Sequence, residues 1–257
     1  MKKENPPEAT KTRQAKRWLP LLLIGGVALV GGIVVGTNSQ IDNEASGRYR
    51  ASNTSNGNSN TSSSELDKQL ASVQAQLPNT TLFPVGFKTI APFALSKNNN
   101  EPATEALFND NWSLLFFGFT NCPDVCPITL NELNGVVNEL SQSNEQNIPV
   151  PQVVFVTVDP VRDTIEKMTE YVQYFNSDFI GVSGDLGVIT SLTSQLGIVA
   201  SYTASQSDPT QYSVDHTASL LLIDPQRRVR AKFNPPHTVT GVLDDYRKVL
   251  PHLSNPS

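Results

Sequence analysis

A polar stretch of 28 residues, 37–64, limits what this chain can fold into. Seventeen of its residues are Asn, Ser or Thr, and few carry apolar side chains. Such a segment buries too little apolar surface to offset the entropy of ordering it, so we expect a flexible tether. Because the first third of the 257-residue chain is poorly suited to a core, the sequence predicts one domain of ordinary size after the tether.

The residues before the tether predict a membrane anchor. A basic segment, 1–17, precedes an uncharged apolar segment, 18–36, and basic flanks stay in the cytoplasm. A helix of about 18 apolar residues is ~27 Å long, close to the ~30 Å hydrocarbon core of a bilayer. The alternative is a cleaved signal peptide, although the end of the run is a poor cleavage site. We therefore expect a single-pass transmembrane helix with the C-terminal domain outside the cytoplasm.

The charge balance and the short N-terminus bear on partners and location. The net charge is -5 and the pI is near 5.2, which argues against nucleic acid as a partner because that affinity depends on basic groups. The N-terminus contains Glu4 and Glu8, unlike an acid-poor transit peptide. We therefore expect a bacterial inner membrane, with the folded domain in the periplasm.

Beyond the tether, the pattern indicates a lead-in helix and connection over 65–85 and then an α/β domain over 86–257. Short apolar runs are typical of buried strands, and apolar residues at helical spacing separate them. Their order predicts a thioredoxin-like sandwich, a central mixed sheet flanked by helices. The predicted strands cover 112–119, 153–158, 219–223 and 229–233, and the predicted helices cover 130–140, 165–175, 186–196 and 239–250.

The only two cysteines, Cys122 and Cys126, lie between the first buried strand and a helix. This position is the carboxyl end of the sheet, where ligand sites of α/β proteins gather. Pro127 suits the first helical position, which would place Cys126 at the N-cap in the favourable field of the helix dipole. We therefore expect Cys126 to ionise more easily than Cys122.

Three residues separate the cysteines, so the pair can close a disulfide or hold one soft ion. Two thiolates and an imidazole suit Cu(I), and Cu(II) in a more planar arrangement. We expect His216 as the third ligand because it opens the apolar strand 219–223, where thioredoxin folds place a cis-proline facing the dithiol. His237 and His252 are predicted to be loop and tail residues.

Two structural alternatives for the cysteines remain. Extracytoplasmic cysteines often form structural disulfides, but so short a loop gives little stabilisation. A structural zinc site would need four protein ligands, which the chain can supply only by using its loop and tail histidines.

Acidic residues are predicted around the ligands. Asp159 ends the second buried strand and either tunes the site or orients a ligand. Asp215 precedes His216 and is assigned the same supporting role. In the loop after Asp159, the sequence favours Asp163 or Thr164 as a helix cap and Arg162 as the partner of a carboxylate.

Three segments carry a family resemblance, and the match runs over about 92–250. The segments are Phe116–Pro127, Asp159–Thr164 and Val214–Thr217. Together they resemble the signatures of the Sco/SenC family of copper proteins, in the same order. The resemblance implies a thioredoxin-like copper chaperone, or a thiol reductase linked to copper delivery, that helps assemble the binuclear copper centre of cytochrome c oxidase subunit two.

The resemblance also assigns roles to residues and partners. Cys122, Cys126 and His216 match the family's copper ligands, for Cu(I) or Cu(II), and Asp159 matches an acidic residue near the metal. Cytochrome c oxidase subunit two is the implied partner, with other copper chaperones or thiol reductases as further partners. The alternative is a thiol-disulfide oxidoreductase that acts on its partner without copper transfer. A peroxiredoxin is disfavoured because Pro123 stands where that active site has Thr.

Overall fold

The computed structural model describes residues 68–84, 86–143, 145–205 and 211–253, which belong to one compact unit, Ser55–Ser257. The predicted basic segment, anchor and tether lie outside the described residues. Among the helices of the described part of the chain, none is both long enough and apolar enough to cross a membrane. Residues 68–74 are helical and are called α1; they fall within the predicted lead-in segment.

Ten strands and four further α-helices follow α1 in the described residues. The strands are β1 Thr80–Leu82, β2 Leu95–Lys97, β3 Pro102–Ala103, β4 Ser113–Gly118, β5 Gln152–Thr157, β6 Ile180–Ser183, β7 Ala200–Ala204, β8 Tyr212–His216, β9 Leu220–Ile223 and β10 Val229–Phe233. The helices are α2 Val125–Gln142, α3 Ile165–Phe175, α4 Leu186–Leu196 and α5 Val239–Leu253, and a short 3₁₀ helix covers Glu105–Phe108.

The main sheet has eight strands in the order β1-β10-β9-β4-β5-β6-β2-β3. Strands β4, β5 and β6 are parallel, whereas β9 is antiparallel to β4. All six residues of β4 are buried, as expected of a central strand covered on both faces. The predicted class, a mixed α/β fold with a central sheet and helices, is therefore confirmed.

This topology fixes one edge of the sheet as the place for a site. Parallel pairing brings the carboxyl ends of β4 and β5 to the same edge, with Gly118 opposite Thr157. Strand β9 runs the other way and begins at that edge, because Leu220 pairs with Phe116. Loops that follow β4 and β5 and the segment that precedes β9 therefore meet there.

The predicted helix boundaries in the middle of the chain follow from local capping. The side chain of Thr164 caps α3 by accepting a hydrogen bond from the amide of Lys167. Asp185 caps α4 in the same way, and α4 ends at Gly197 with φ of 70°, the left-handed conformation that glycine adopts without strain. The sequence favoured Asp163 or Thr164 as the cap of α3, and the structure selects Thr164.

Six strands of the fold were not predicted from the sequence, among them the short outer strands β1, β2 and β3. Strand β6 was not predicted, although it extends the parallel part of the sheet. Strands β7 and β8 form a separate two-stranded hairpin that was not predicted either. All of β7 is exposed except its first residue, so the hairpin lacks the apolar run that indicates a buried strand.

Candidate metal centre

The cysteine loop, 119–124, joins the central strand β4 to α2. Its turn is closed by a hydrogen bond of 3.2 Å from the amide of Cys122 to the carbonyl of Phe119. Both cysteines are free thiols; Cys122 is 9% exposed and Cys126 is fully buried. The loop therefore presents one sulfur close to the surface and holds the other inside the domain.

The predicted start of α2 was wrong by two residues. The helix begins at Val125 with Asp124 as N-cap, so Pro127 is its third residue and Cys126 its second. A proline is accepted there because amides of the first turn have no partner within the helix. The first backbone hydrogen bond of the helix runs from Ile128 to Asp124, at 3.3 Å.

His216 reaches the cysteines from β8. Its Nε2 atom lies 3.4 Å from the sulfur of Cys126, and its Nδ1 atom lies 3.1 Å from the carbonyl oxygen of Thr217. A carbonyl oxygen only accepts hydrogen bonds, so Nδ1 donates to Thr217, and Nε2 is the ring atom that faces the sulfur. The rings of Phe116 and Phe119 pack edge-on against the imidazole, with centroids 6.1 and 5.8 Å away. The imidazole is thus oriented by the carbonyl of Thr217 and by two aromatic rings.

The route by which His216 arrives differs from the prediction. It does not open strand 219–223; it is the last residue of β8 and pairs with Ala200 of β7. Two hydrogen bonds between Val199 and Thr217, of 2.9 and 3.0 Å, continue this pairing beyond the strand ends. The third side chain of the cluster is therefore delivered by the hairpin.

The three side chains converge on one point. The ligand atoms of Cys122, Cys126 and His216 all lie within 4.8 Å of one another. Over the ranges that the structure describes, this is the one group of three or more Cys, His, Asp or Glu residues that could hold a metal ion. Two sulfurs and an imidazole nitrogen form a soft donor set, which suits copper.

The two thiols have opposite acidities. A hydrogen bond from Cys126 lowers the pKa of Cys122 to about 5, helped by the backbone amides of Asp124 and Cys126 and by His216, while burial opposes the shift. The same hydrogen bond raises the pKa of Cys126, as do burial and the charges of Cys122 and Asp163. The prediction that Cys126 ionises more easily was wrong, because its complete burial and its partner outweigh the helix dipole.

Asp163, which the sequence offered only as a helix cap, braces the cysteine loop. Its buried carboxylate accepts hydrogen bonds from the amide of Thr120 at 2.9 Å and from the hydroxyls of Thr120 and Thr157 at 2.5 and 2.6 Å. The signal that could have identified it is its position after β5, opposite a loop that has a hydroxyl residue two positions before Cys122. The carboxylate ties the ends of two neighbouring strands together.

Asp159 has other partners than the ligands. Its buried carboxylate pairs with the guanidinium of Arg162, for which the sequence predicted a carboxylate partner without naming it. The same carboxylate accepts a hydrogen bond of 2.5 Å from the hydroxyl of Tyr212. The guanidinium carbon of Arg162 lies 4.0 Å from the centroid of the Tyr212 ring and 5.9 Å from that of the Phe119 ring. The ring of Phe119 in turn packs against His216. Asp159 thus reaches the centre only through these intermediates.

The remaining sequence candidates lie away from the sulfurs. Asp215 is exposed and, as the neighbour of His216 on a strand, directs its side chain to the opposite face. His237 lies in the loop between β10 and α5, as predicted, and is buried there: its Nε2 lies 2.8 Å from the carbonyl of Ala218, and burial lowers its pKa. His252 lies in the last turn of α5.

Comparison with known proteins identifies the family. Residues 85–251 match the model of the SCO1/SenC family. The mitochondrial SCO2 homologue of Mus musculus is 37% identical over 157 residues, which cover 61% of this chain and 60% of that relative.

Two solved structures are similar and contain copper. ScoI of Bradyrhizobium japonicum with copper bound is 30% identical with a TM-score of 0.55, covering 63% of this chain and 99% of that one. Yeast Sco1 with copper bound is 26% identical with a TM-score of 0.58, covering 66% of this chain and 91% of that one. The match of the family model across the domain that holds the cysteine and histidine cluster shows that this chain belongs to the SCO1/SenC family.

Proposed function

We propose that this protein is a copper-binding assembly factor that delivers copper to, or reduces the cysteines of, the binuclear copper centre of cytochrome c oxidase subunit two. The observation that carries the proposal is the convergence of the Cys122, Cys126 and His216 ligand atoms within 4.8 Å. Family membership supports it, because Sco proteins act in cytochrome c oxidase assembly.

The donor atoms are largely prepared for copper before it arrives. At neutral pH Cys122 is already a thiolate, because its pKa is about 5. The Nε2 atom of His216 faces the sulfur of Cys126, since Nδ1 donates to the carbonyl of Thr217. Only the proton of Cys126 has to leave, so binding of one copper ion releases about one proton from the sulfur pair.

The same arrangement favours transfer of copper as a cargo. Cys122 is the more accessible sulfur, whereas Cys126 is enclosed. An incoming cysteine of subunit two would therefore displace Cys122 and His216 before Cys126. The buried sulfur keeps hold of the ion until the acceptor's own thiolates have bound it.

Copper titration of the full-length chain purified in detergent tests the first half of the proposal. We expect one ion per chain and a sulfur-to-Cu(II) charge-transfer band. His216→Ala should lower the affinity and move the band, whereas His252→Ala, at the end of α5, should leave both unchanged. If His216→Ala behaves like the control, the three-ligand site is wrong.

The acidity of Cys122 favours thiol reduction as the second candidate. The Cys122 thiolate would attack a partner disulfide, form a mixed disulfide and release one partner thiolate. Cys126 would then attack the sulfur of Cys122, lose its proton to solvent and release the second partner thiolate. Two electrons pass to the partner, and the Cys122–Cys126 disulfide must be reduced again by an external thiol reductase.

Trapping with single-cysteine variants distinguishes the two sulfurs. Cys126→Ser keeps the attacking thiolate and removes the resolving thiol, so it should accumulate a mixed disulfide with subunit two. Cys122→Ser should trap far less. Absence of any trapped species with Cys126→Ser would count against reduction.

The location of the domain is part of the proposal. The basic segment followed by an apolar run in 1–36 supports a single-pass anchor in a bacterial inner membrane, with the domain in the periplasm. Reporter fusions after residue 64 that are active only in the periplasm test this topology. In a deletion strain, rescue of oxidase activity by added copper favours delivery, and rescue by added reductant favours thiol reduction.

A further inference from the structure

The hairpin of β7 and β8 is docked on the domain along one face of β8. Side chains alternate along a strand, so Tyr212, Val214 and His216 share a face. Val214 is buried and the other two are half-buried, whereas Ser213 and Asp215 on the opposite face are exposed. The docked face of β8 therefore has His216 at one end and Tyr212 at the other.

Tyr212 is fastened to the loop after β5 through both its side chain and its backbone. Its hydroxyl donates a hydrogen bond of 2.5 Å to Oδ1 of Asp159, whose carboxylate is buried. Oδ2 of the same carboxylate pairs with the guanidinium of Arg162. That guanidinium donates a hydrogen bond of 3.1 Å to the backbone carbonyl of Tyr212, and its carbon lies 4.0 Å from the centroid of the Tyr212 ring. Asp159, Arg162 and Tyr212 thus close a ring of contacts, which we call the Tyr212 clasp.

The clasp decides where β8 lies because the main sheet does not hold this strand. In the described part of the chain, β7 and β8 form a two-stranded sheet of their own. Besides the clasp, the hydroxyl of Tyr202 on β7 donates to the carbonyl of Val158 in the same loop. Four residues separate Tyr212 from His216, about 13 Å along the strand. A strand paired over that length carries the position fixed at Tyr212 to the imidazole, whose Nε2 lies 3.4 Å from the sulfur of Cys126.

The geometry points to Tyr212 as a positioning residue of the metal centre: through the clasp it holds β8 where the imidazole of His216 meets the two sulfurs. The hydrogen bond to a buried carboxylate is of the charge-assisted kind, which is stronger than one between neutral groups. Opening of the clasp frees the end of β8 remote from His216 and lets the hairpin carry the imidazole away from copper. This inference rests on the proposed function for copper release but not for the placement of the hairpin.

Hydrogen exchange of the metal-free chain tests the placement. Tyr212→Phe keeps the ring under the guanidinium and removes only the hydroxyl, and the full-length chain in detergent is compared with and without it by mass spectrometry. We expect amides of 212–217 to exchange about tenfold faster, the loss of one hydrogen bond to a charged group, while those of β4 stay protected. Ser213→Ala, which removes an exposed hydroxyl from the same strand, is the matched control and should exchange like the wild type. Unchanged exchange over 212–217 in Tyr212→Phe, or equal acceleration in β4, overturns the inference.

Copper release tests whether Tyr212 acts through His216. The rate at which a competing chelator removes copper should rise up to about tenfold in Tyr212→Phe and stay unchanged in Ser213→Ala. In a His216→Ala background the same Tyr212→Phe change should have no effect on that rate, because the side chain that it positions is gone. An equal acceleration in both backgrounds would mean that Tyr212 acts on the general stability of the domain, and would overturn the inference. If the wild-type chain binds no copper, the proposed function fails, and hydrogen exchange still decides whether Tyr212 holds the hairpin in place.

Discussion

The acidity of Cys122 gives the sharpest quantitative prediction. With a pKa of about 5, roughly 99 of 100 Cys122 side chains are thiolates at pH 7. An ordinary cysteine with a pKa of ~8.5 would be about 3% ionised at that pH. The first cause of the shift is the hydrogen bond from Cys126, so Cys126→Ala should move the titration of Cys122 toward the ordinary value.

The assay is the pH dependence of thiolate absorbance near 240 nm in the reduced protein, kept metal-free with a chelator. Alkylation by iodoacetamide followed by peptide mapping assigns the titrating sulfur. We expect a midpoint near pH 5 that belongs to Cys122, and modification of Cys126 only in strongly alkaline solution or after unfolding. A midpoint near pH 8 to 9 for Cys122, or earlier modification of Cys126, would refute the proposed hydrogen-bond direction.

Three further predictions follow from the same contacts. Gly118→Ala should lower the free energy of unfolding, measured in urea, by about 1–3 kcal/mol and weaken copper binding, because the new Cβ would lie 2.7 Å from the sulfur of Cys126. In the control Gly86→Ala, the new Cβ has no atom within 4 Å, so stability and copper binding should both stay unchanged. Asp163→Asn should cost about 1–3 kcal/mol through weaker hydrogen bonds to Thr120 and should lower the pKa of Cys126, measured by alkylation. Between about pH 5 and 8, the unfolded reduced chain binds more protons at Cys122 than the folded chain does. The urea midpoint of the metal-free protein should therefore rise with pH over this range. A flat profile would contradict the lowered pKa of Cys122.

The central sheet and the cysteine loop could be predicted because their signals are local. Strand β4 is apolar throughout since both faces are covered, and Cys122 and Cys126 follow it directly. Capping residues likewise predicted where the middle helices begin and end, as at Gly197. The family was also predicted from short segments, and the match over 85–251 confirms it.

The features that were not predicted depend on where side chains point. The hairpin of β7 and β8 is mostly exposed, so nothing in its pattern distinguishes it from a loop. Nor does the sequence show that the carboxylate of Asp163 turns toward Thr120, or that Cys126 is fully enclosed. The order of ionisation was predicted wrongly for that reason, because burial and a shared proton decide it rather than position on the helix.

The three ligand atoms are divided between two kinds of element, which bears on how the site would release copper in the proposed delivery function. Cys122 and Cys126 are held by the central strand, by α2 and by the bonds of Asp163, all deep in the domain. His216 comes from the hairpin of β7 and β8, whose strands pair only with each other and whose side chains are mostly exposed. We therefore expect this hairpin to be among the elements that open at the lowest free energy. The cation–π stack of Arg162 on Tyr212 ties that hairpin to the loop after β5. Loss of the imidazole from copper would therefore precede loss of either sulfur, leaving a coordination position for an incoming cysteine while the ion is still bound.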